Sequence, residues 1–224
     1  MDIDKLKSDV IKKVDSQRAR LVALSHKIHD NPETGFHEVK AAKWLCAYLE
    51  TNGFEIERGI CDMPTAFRAT YGKGKPVIAL MAEYDALPQI GHACGHNIIC
   101  TAALGAAVAA KPAVDQYGGS ITVIGTPAEE LFGGKAIMAE RRAFKDIDIA
   151  MIVHASSHDL PSARALACIT LDVEFFGKAA HAAARPEDGI NALEAMILSF
   201  NGIDSLRQHI KERARIHGII TKGG

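Results

Sequence analysis

Apolar residues recur over the first fifty positions at the spacing of amphipathic helices. Between residues 2 and 29 they alternate with many charged residues at near-helical spacing, which predicts one helix, and Asn31-Pro32 predicts its end. A second apolar face over residues 39–49 predicts another helix, with Asn52-Gly53 after its last turn. The pattern therefore predicts that the chain opens with two helices.

The middle of the chain alternates apolar strand-like segments with helical ones. The predicted strands cover residues 54–60, 65–71, 77–82, 120–125 and 148–153. The glycine-rich link 72–75 predicts a hairpin turn between the second and third of these strands. A helix is predicted over residues 98–110, closed by Lys111-Pro112, and a shorter one ends near residue 142. This alternation predicts an α/β fold, in which a mostly parallel sheet is covered by helices on both faces.

Near residue 167 the pattern changes. A strand over 168–176, a loop over 177–188, a helix over 189–208 and a strand over 215–221 predict the first half of a small α+β layer. We therefore expect two domains, residues 1–166 and residues 167–224.

Composition and charge exclude several classes of protein. The chain has 224 residues and a net charge of −1, so no basic surface for nucleic acid is expected. The longest apolar run, residues 98–110, is too short to span a bilayer, and the charged N-terminus is unlike a signal peptide. The five scattered cysteines argue against a disulfide framework, which favours a reducing cytoplasm.

The loop over residues 91–97 combines two imidazoles and a thiol directly after a buried strand and its acidic turn, 83–85. Cys94 and His96 can face one point in such a turn, which indicates a metal site. The alternative is that Cys94 is a small buried apolar residue and that His92 and His96 are solvated. Three metal-binding residues within five positions favour the metal site.

Polar side chains follow the predicted strands in four places, at Asp85, in the Cys94/His96 loop, at Glu129-Glu130 and at His154. Since the carboxyl ends of neighbouring parallel strands meet at one edge of a sheet, we expect these groups to lie together. The adjacent glutamates could divide the work, one as a general base and one as a metal ligand. A solvated helix start is the alternative for this pair.

These motifs together resemble a known family. The segments that carry the resemblance are 29–33, 82–88, 92–97, 126–130 and 177–181 with Pro186, Gly189 and 191–192. They are similar to the aminoacylase/carboxypeptidase family of two-metal hydrolases, metallopeptidase clan MH. The most similar branch contains p-aminobenzoyl-glutamate hydrolase, Xaa-Arg dipeptidases, hippurate hydrolase and auxin-conjugate amidohydrolases.

The resemblance implies a role for seven residues. The implied metal ligands are Cys94, His96, Glu130 and His154. Glu129 is implied as the general base, and Asp85 as a carboxylate that orients a ligand without binding the metal. His181 is implied to reach across a dimer and stabilise the oxyanion that develops on the substrate carbonyl.

The resemblance also implies the reaction. Water activated by two divalent ions, Zn²⁺ or Mn²⁺, would hydrolyse the amide bond of an N-acyl amino acid or dipeptide, with p-aminobenzoyl-glutamate or Xaa-Arg compounds as model substrates. Residues 1–166 would be the catalytic domain and residues 167–224 part of a lid that forms a homodimer. Family members are expected to be roughly twice this length, so the sequence predicts a C-terminally truncated chain that lacks one further histidine ligand.

Two other functions fit the sequence. The chain could be an inactive fragment or pseudoenzyme that acts through association. It could also be a thiol enzyme that uses Cys94 with His96, although no oxyanion donor is evident and the Glu129-Glu130 pair then has no role.

Overall fold

The computed structural model describes residues 3–161 and 166–223. The chain divides into two compact units, Met1–Asp159 and Leu160–Gly224. The roles expected for the two predicted domains remain predictions.

Residues 3–159 of the first unit form five helices, five strands and one 3-10 turn. In chain order they are α1 (Ile3–His29), α2 (Val39–Thr51), β1 (Glu55–Arg58), the 3-10 turn (Ile60–Asp62), β2 (Phe67–Lys73), β3 (Val77–Ala82), α3 (His96–Tyr117), β4 (Gly119–Gly125), α4 (Glu129–Phe132), α5 (Gly134–Glu140) and β5 (Ile149–Met151).

The strands form one sheet in the order β1-β2-β4-β3-β5. The strands β4, β3 and β5 pair in parallel, whereas β1 with β2 and β2 with β4 pair antiparallel. The α/β fold class is confirmed, and the parallel pairing is confined to β4, β3 and β5. Every predicted strand of this unit forms, with shifts of a few residues at its ends.

The predicted hairpin between β2 and β3 is wrong, because β4 lies between them and pairs with both. The end of β4, Gly125, is opposite Phe67 of β2 on one side and Ala82 of β3 on the other. A side chain at Gly125 would overlap the Phe67 ring, 2.2 Å from its Cε1 atom. Gly72 and Gly74 have positive φ angles and turn the chain out of β2, so the glycines mark a turn without a hairpin.

Helices cover both faces of the sheet, as the sequence predicts. Successive residues of a strand face opposite sides, so neighbouring residues of β3 and β4 belong to different cores. On one face, Ala82 and Val123 pack with a large core to which α2 and α3 contribute residues such as Leu49 and Leu104. On the other face, Met81 and Ile124 pack with Met138 of α5. The sheet is thus buried on both sides near the carboxyl ends of β3 and β4.

Helix α3 is longer than predicted, because it continues past Pro112 to Tyr117. Val114, beyond the proline, packs against the large core, and this burial offsets the hydrogen bond that Pro112 cannot make. The helix is also long and apolar enough to cross a membrane, contrary to the expectation that no such run exists. Over half of its most apolar window, 56%, is buried within the unit, as in the core helices of many folds.

The second unit contains helix α6 (Ala192–Leu206) between two 3-10 turns, Pro186–Asp188 and Arg207–His209. The Asn191 side chain caps α6 by accepting a hydrogen bond from the Glu194 backbone N–H at 3.0 Å. The predicted strands over 168–176 and 215–221 are wrong, since no regular strand is found in the described part of this unit. Strand-like sequence needs a partner strand, and side chains such as Ile169 and Phe176 are instead over 80% exposed.

Candidate metal centre

The site lies where the parallel strands β3 and β4 end side by side. The Thr126 N–H, just after β4, donates to the carbonyl of Ala82, the last residue of β3, at 2.8 Å. The loop after β3 leads to Cys94 and into α3 at His96, and the turn after β4 leads into α4 at Glu129. The strand ends therefore bring these loops together at one edge of the sheet, as is usual for ligand sites in such sheets.

His96 lies at the centre of the cluster and is 1% exposed. Its Nε2 atom faces three carboxylates. The distances are 3.4 Å to Glu83 Oε2, 3.7 Å to Glu129 Oε2 and 3.6 Å to Glu130 Oε1. Three anionic groups around one ring nitrogen make a strongly negative pocket, which favours a bound cation.

Asp85 holds the other side of the His96 ring. The Nδ1 atom of His96 lies 2.9 Å from the Asp85 carbonyl and 3.0 Å from its Oδ1 atom, so Nδ1 donates. The Asp85 Oδ2 atom accepts a hydrogen bond from the Glu130 N–H at 3.0 Å. Burial acts to raise the pKa of Asp85, but these hydrogen bonds outweigh it and the pKa is lowered. Asp85 is thus kept ionised and positions both His96 and Glu130.

Cys94 and His154 complete the cluster. The Cys94 Sγ atom lies 3.8 Å from His154 Nε2, and the His154 ring meets the His96 ring edge-on with centroids 6.0 Å apart. The His154 Nδ1 atom lies 2.8 Å from the Ala155 carbonyl, so its Nε2 atom presents a lone pair to the cluster.

The turn that carries the two glutamates is held in an unusual conformation. Ala128 is in the left-handed region, with φ 59° and ψ 43°, and its N–H donates to the buried Glu38 Oε1 at 2.7 Å. The Ala128 carbonyl accepts a hydrogen bond from Gly134 N–H at 2.9 Å. A Cβ atom at Gly134 would lie 1.9 Å from the Pro127 carbonyl oxygen, so only glycine fits there. This packing fixes where Glu129 and Glu130 begin their helix.

The pKa values follow from burial beside so many acids. Burial, and then the neighbouring carboxylates of Glu130, Glu129 and Glu83, raise the pKa of the Cys94 thiol to about 11. Burial, and then Glu83, raise the pKa of Glu129. A thiol of such high pKa is a poor nucleophile on its own, which counts against the thiol-enzyme alternative.

Several atoms of the cluster are buried without a hydrogen-bond partner among the described residues. They are Glu83 Oε2, His96 Nε2 and Glu130 Oε1. Two groups of donors each lie within 4.8 Å of one another, Cys94 with His96 and His154, and His96 with Glu129 and Glu130. Unpartnered buried acceptors are costly unless a cation binds them. The thiol, imidazole and carboxylate donors fit zinc, and the carboxylates also fit manganese.

The structure therefore brings together six of the seven residues predicted from sequence. The seventh, His181, lies in the second unit, where its Nδ1 atom accepts N–H groups of Ala183 at 3.3 Å and Ala184 at 3.1 Å. Its role across a dimer stays a prediction. His92 is buried and belongs to neither donor group.

Sequence reasoning missed three residues that shape the site, namely Glu83, Lys135 and Glu38. The sequence places Glu83 in an acidic turn and gives it no role of its own, although it directly follows a buried strand, as several predicted site residues do. Lys135 donates to Glu83 Oε1 from α5. Glu38 directly precedes the predicted second helix. Nothing in the local pattern indicates that it is fully buried.

The motif over residues 29–33 supplies none of these donors and instead supports the fold around the site. Glu33 accepts backbone N–H groups of Lys40 and Ala41 at 2.9 and 3.0 Å, and so caps the start of α2. Its carbonyl accepts the Ala86 N–H at 2.8 Å. The motif thereby fastens α2 to the loop that follows β3.

Comparison with known proteins identifies curated relatives of the chain. The chain is 39% identical to a protein of Escherichia coli (strain K12) named as one subunit of p-aminobenzoyl-glutamate hydrolase, over 94% of this chain and 48% of that protein. It is 35% identical to Xaa-Arg dipeptidase of Mus musculus, over 100% of this chain and 55% of that protein. The chain thus spans about half the length of these curated relatives.

A solved structure agrees with this assignment. The Bacillus subtilis YXEP protein, described as a dinuclear metal binding peptidase from the M20 family, matches with a TM-score of 0.55 and 26% identity. The match covers 61% of this chain and 42% of that chain. The model of peptidase family M20/M25/M40 matches residues 79–214, more than half of the sequence and including every predicted site residue. The chain therefore belongs to peptidase family M20/M25/M40.

Proposed function

We propose that this chain forms the metal-binding catalytic part of a hydrolase that cleaves the amide bond of N-acyl amino acids or dipeptides. One observation carries the proposal. A buried imidazole nitrogen, His96 Nε2, is surrounded by unpartnered carboxylate oxygens, with Cys94 and His154 beside it. This donor set suits divalent ions, and the site also supplies a carboxylate that is free to act as a base.

The proposed ligands are Cys94, His96, Glu130 and His154. Divalent ions bound there would polarise a substrate carbonyl and lower the pKa of water. Glu129 is the general base, since its side chain is 36% exposed whereas that of Glu130 is 16% exposed. It takes a proton from the attacking water and passes it to the leaving nitrogen. Its raised pKa, caused by burial and by Glu83, brings the carboxylate nearer to the pH at which it must work.

The names of the relatives suggest which substrates to test. The relative from Escherichia coli is named for p-aminobenzoyl-glutamate, and the relative from Mus musculus for Xaa-Arg dipeptides. Both compounds carry an amide bond to an amino acid. We therefore choose these two classes, with simple N-acetyl amino acids as a third.

The test is turnover by the purified protein loaded with Zn²⁺ or Mn²⁺. We expect release of the free amino acid from at least one substrate class, and no release after chelation or with Glu129→Gln. Equal turnover by Glu129→Gln, or none by fully loaded wild type, would reject the proposal. The second result would instead favour the inactive fragment that acts through association. Loss of activity after thiol alkylation of the metal-saturated protein would favour the thiol enzyme.

We also propose that the second unit forms a homodimer and that His181 acts on the substrate of the partner. The support is the resemblance of residues 177–181 and 189–192 to the lid of the family. In mixed dimers of His181→Ala with Glu129→Gln, one site would combine an intact Glu129 with an intact histidine from the other protomer. Restored activity in the mixture is expected, and its absence in a demonstrated mixed dimer contradicts action in trans.

A further inference from the structure

One carboxylate oxygen of Glu83 is buried within the cluster without a hydrogen-bond partner among the described residues. It is the first residue after β3, and its side chain is 3% exposed. One oxygen, Oε1, accepts a hydrogen bond from the Lys135 ammonium. The other, Oε2, has no hydrogen-bond partner among the described residues, although it is fully buried. Such an oxygen loses its hydration without compensation, which is costly for a charged group.

Two ring nitrogens that present lone pairs lie close to Glu83 Oε2. They are His96 Nε2 at 3.4 Å and His154 Nε2 at 3.8 Å. Each ring donates through its Nδ1 atom to an oxygen, His96 to Asp85 and His154 to the Ala155 carbonyl. In the neutral rings, Nε2 is therefore an acceptor, as is the carboxylate oxygen. Acceptors that face one another at these distances repel unless a metal ion or a proton lies between them, and a metal ion is the one cation that all three atoms can share.

The distances agree with shared coordination. Two ligand atoms, each about 2.0–2.2 Å from one tetrahedral zinc ion, are themselves about 3.3–3.6 Å apart. The 3.4 Å separation between Glu83 Oε2 and His96 Nε2 lies in this range, and the 3.8 Å separation to His154 lies just outside it.

We propose that Glu83 is a further ligand of the metal centre and binds a divalent cation through Oε2. Lys135 is a positioning residue, because its ammonium holds Oε1 and so turns Oε2 toward the two histidines. The proposal rests on the metal centre of the proposed function and adds a carboxylate to its ligands. The added oxygen donor increases the affinity for divalent cations, and favours manganese relative to the thiolate and imidazole donors alone.

The test compares Glu83→Gln, which keeps the shape but removes the charge, with Glu140→Gln, an exposed glutamate on α5. Metal-free protein is titrated with Zn²⁺ and Mn²⁺ by calorimetry, and Co²⁺-loaded protein is examined by its visible absorption spectrum. Losing a residue that only hydrogen-bonds a metal ligand typically raises the dissociation constant by ~10–100-fold. For Glu83→Gln we expect a larger rise for one ion and a changed cobalt spectrum. Glu140→Gln should leave both unchanged. Wild-type affinity and spectrum in Glu83→Gln would overturn the proposal.

Lys135→Met provides an independent test that keeps the Glu83 carboxylate. We expect it to weaken binding by about 10–100-fold and to shift the cobalt spectrum. Thermal unfolding of the metal-free forms shows whether each variant is folded. Should Glu83→Gln fail to fold, the cobalt spectrum of Lys135→Met decides, since a wild-type spectrum there overturns the proposal.

The outcome also separates this inference from the proposed function. Loss of metal in Cys94→Ala together with normal binding in Glu83→Gln rejects only the role of Glu83. Wild-type protein that binds no divalent ion rejects both.

Discussion

The carboxylate of Asp85 joins two proposed ligands through opposite oxygens, because Oδ1 lies 3.0 Å from His96 Nδ1 and Oδ2 accepts the Glu130 N–H at 3.0 Å. We expect Asp85→Asn to keep the fold and to weaken metal binding by about 10–100-fold, which is the typical effect of losing a residue that hydrogen-bonds a metal ligand. Calorimetric titration with Zn²⁺ measures the change. Asp115→Asn is the control, because the exposed Asp115 carboxylate accepts a hydrogen bond from the Tyr71 hydroxyl at 2.8 Å and lies outside the cluster. An unchanged dissociation constant in Asp85→Asn would contradict the positioning role.

The paired substitution Cys94→Ala with His96→Ala tests the proposed ligands directly. We expect the purified double variant to lose most of its bound metal, because each of the two donor groups contains His96. The measurement is the metal-to-protein ratio by mass spectrometry after equilibration with Zn²⁺ or Mn²⁺. A ratio equal to that of the wild type would refute the assignment.

The two adjacent glutamates should behave differently when their charges are removed. Glu129→Gln should keep the metal and lower turnover by about 10²–10⁴-fold, as expected for loss of a general base. Glu130→Gln should lower metal affinity, because the Glu130 Oε1 atom is one of the buried unpartnered oxygens near His96. Turnover per bound metal separates the two effects. If the two phenotypes are exchanged, the assignment of base and ligand is wrong.

Gly134→Ala should destabilise the first unit by about 1–3 kcal/mol, the usual cost of forcing atoms into a packed site. The new Cβ atom would lie 1.9 Å from the Pro127 carbonyl oxygen, and the turn before Glu129 must move to relieve this overlap. We therefore also expect weaker metal binding. Denaturant unfolding with and without Zn²⁺ measures both effects. Gly202→Ala on α6, where a Cβ atom meets nothing within 4 Å, is the matched control.

An ion pair away from the site gives a pH-dependent prediction. Arg68 donates to both carboxylate oxygens of Asp146, at 2.7 and 3.0 Å, and holds the pKa of Asp146 below its usual value of 3.8. The pair therefore stabilises the fold fully above pH 3.8, and this contribution is lost as the pH falls through the lowered pKa of the folded state.

Asp146→Asn should accordingly cost about 0.2–1 kcal/mol at neutral pH, the range of partly exposed pairs. The difference from wild type should shrink as the pH falls below 3.8. Urea unfolding between pH 7 and pH 3 measures it. A difference that grows in acid would show that Asp146 acts in another way.

The sequence predicted the strands of the first unit well, because each is an apolar segment bounded by turn residues. It also predicted that the Cys94 loop, the glutamate pair and His154 meet, since each follows such a strand. It could not predict that β4 pairs with β2, because strand order depends on packing between distant segments. Glu83 was missed for a related reason. Its importance comes from an unpartnered oxygen, and only the arrangement of its neighbours shows that no partner is available among the described residues.

The position of β4 between β2 and β3 has a consequence for synthesis on the ribosome. β1 and β2 can pair as soon as they emerge, but both partners of β3, namely β4 and β5, are made later. A nascent chain that has reached residue 118 therefore carries an apolar strand with two open edges, which can pair with other chains. Residues 119–125 cover one of these edges and residues 149–151 cover the other. The interval before they emerge is therefore when this protein most needs protection from aggregation.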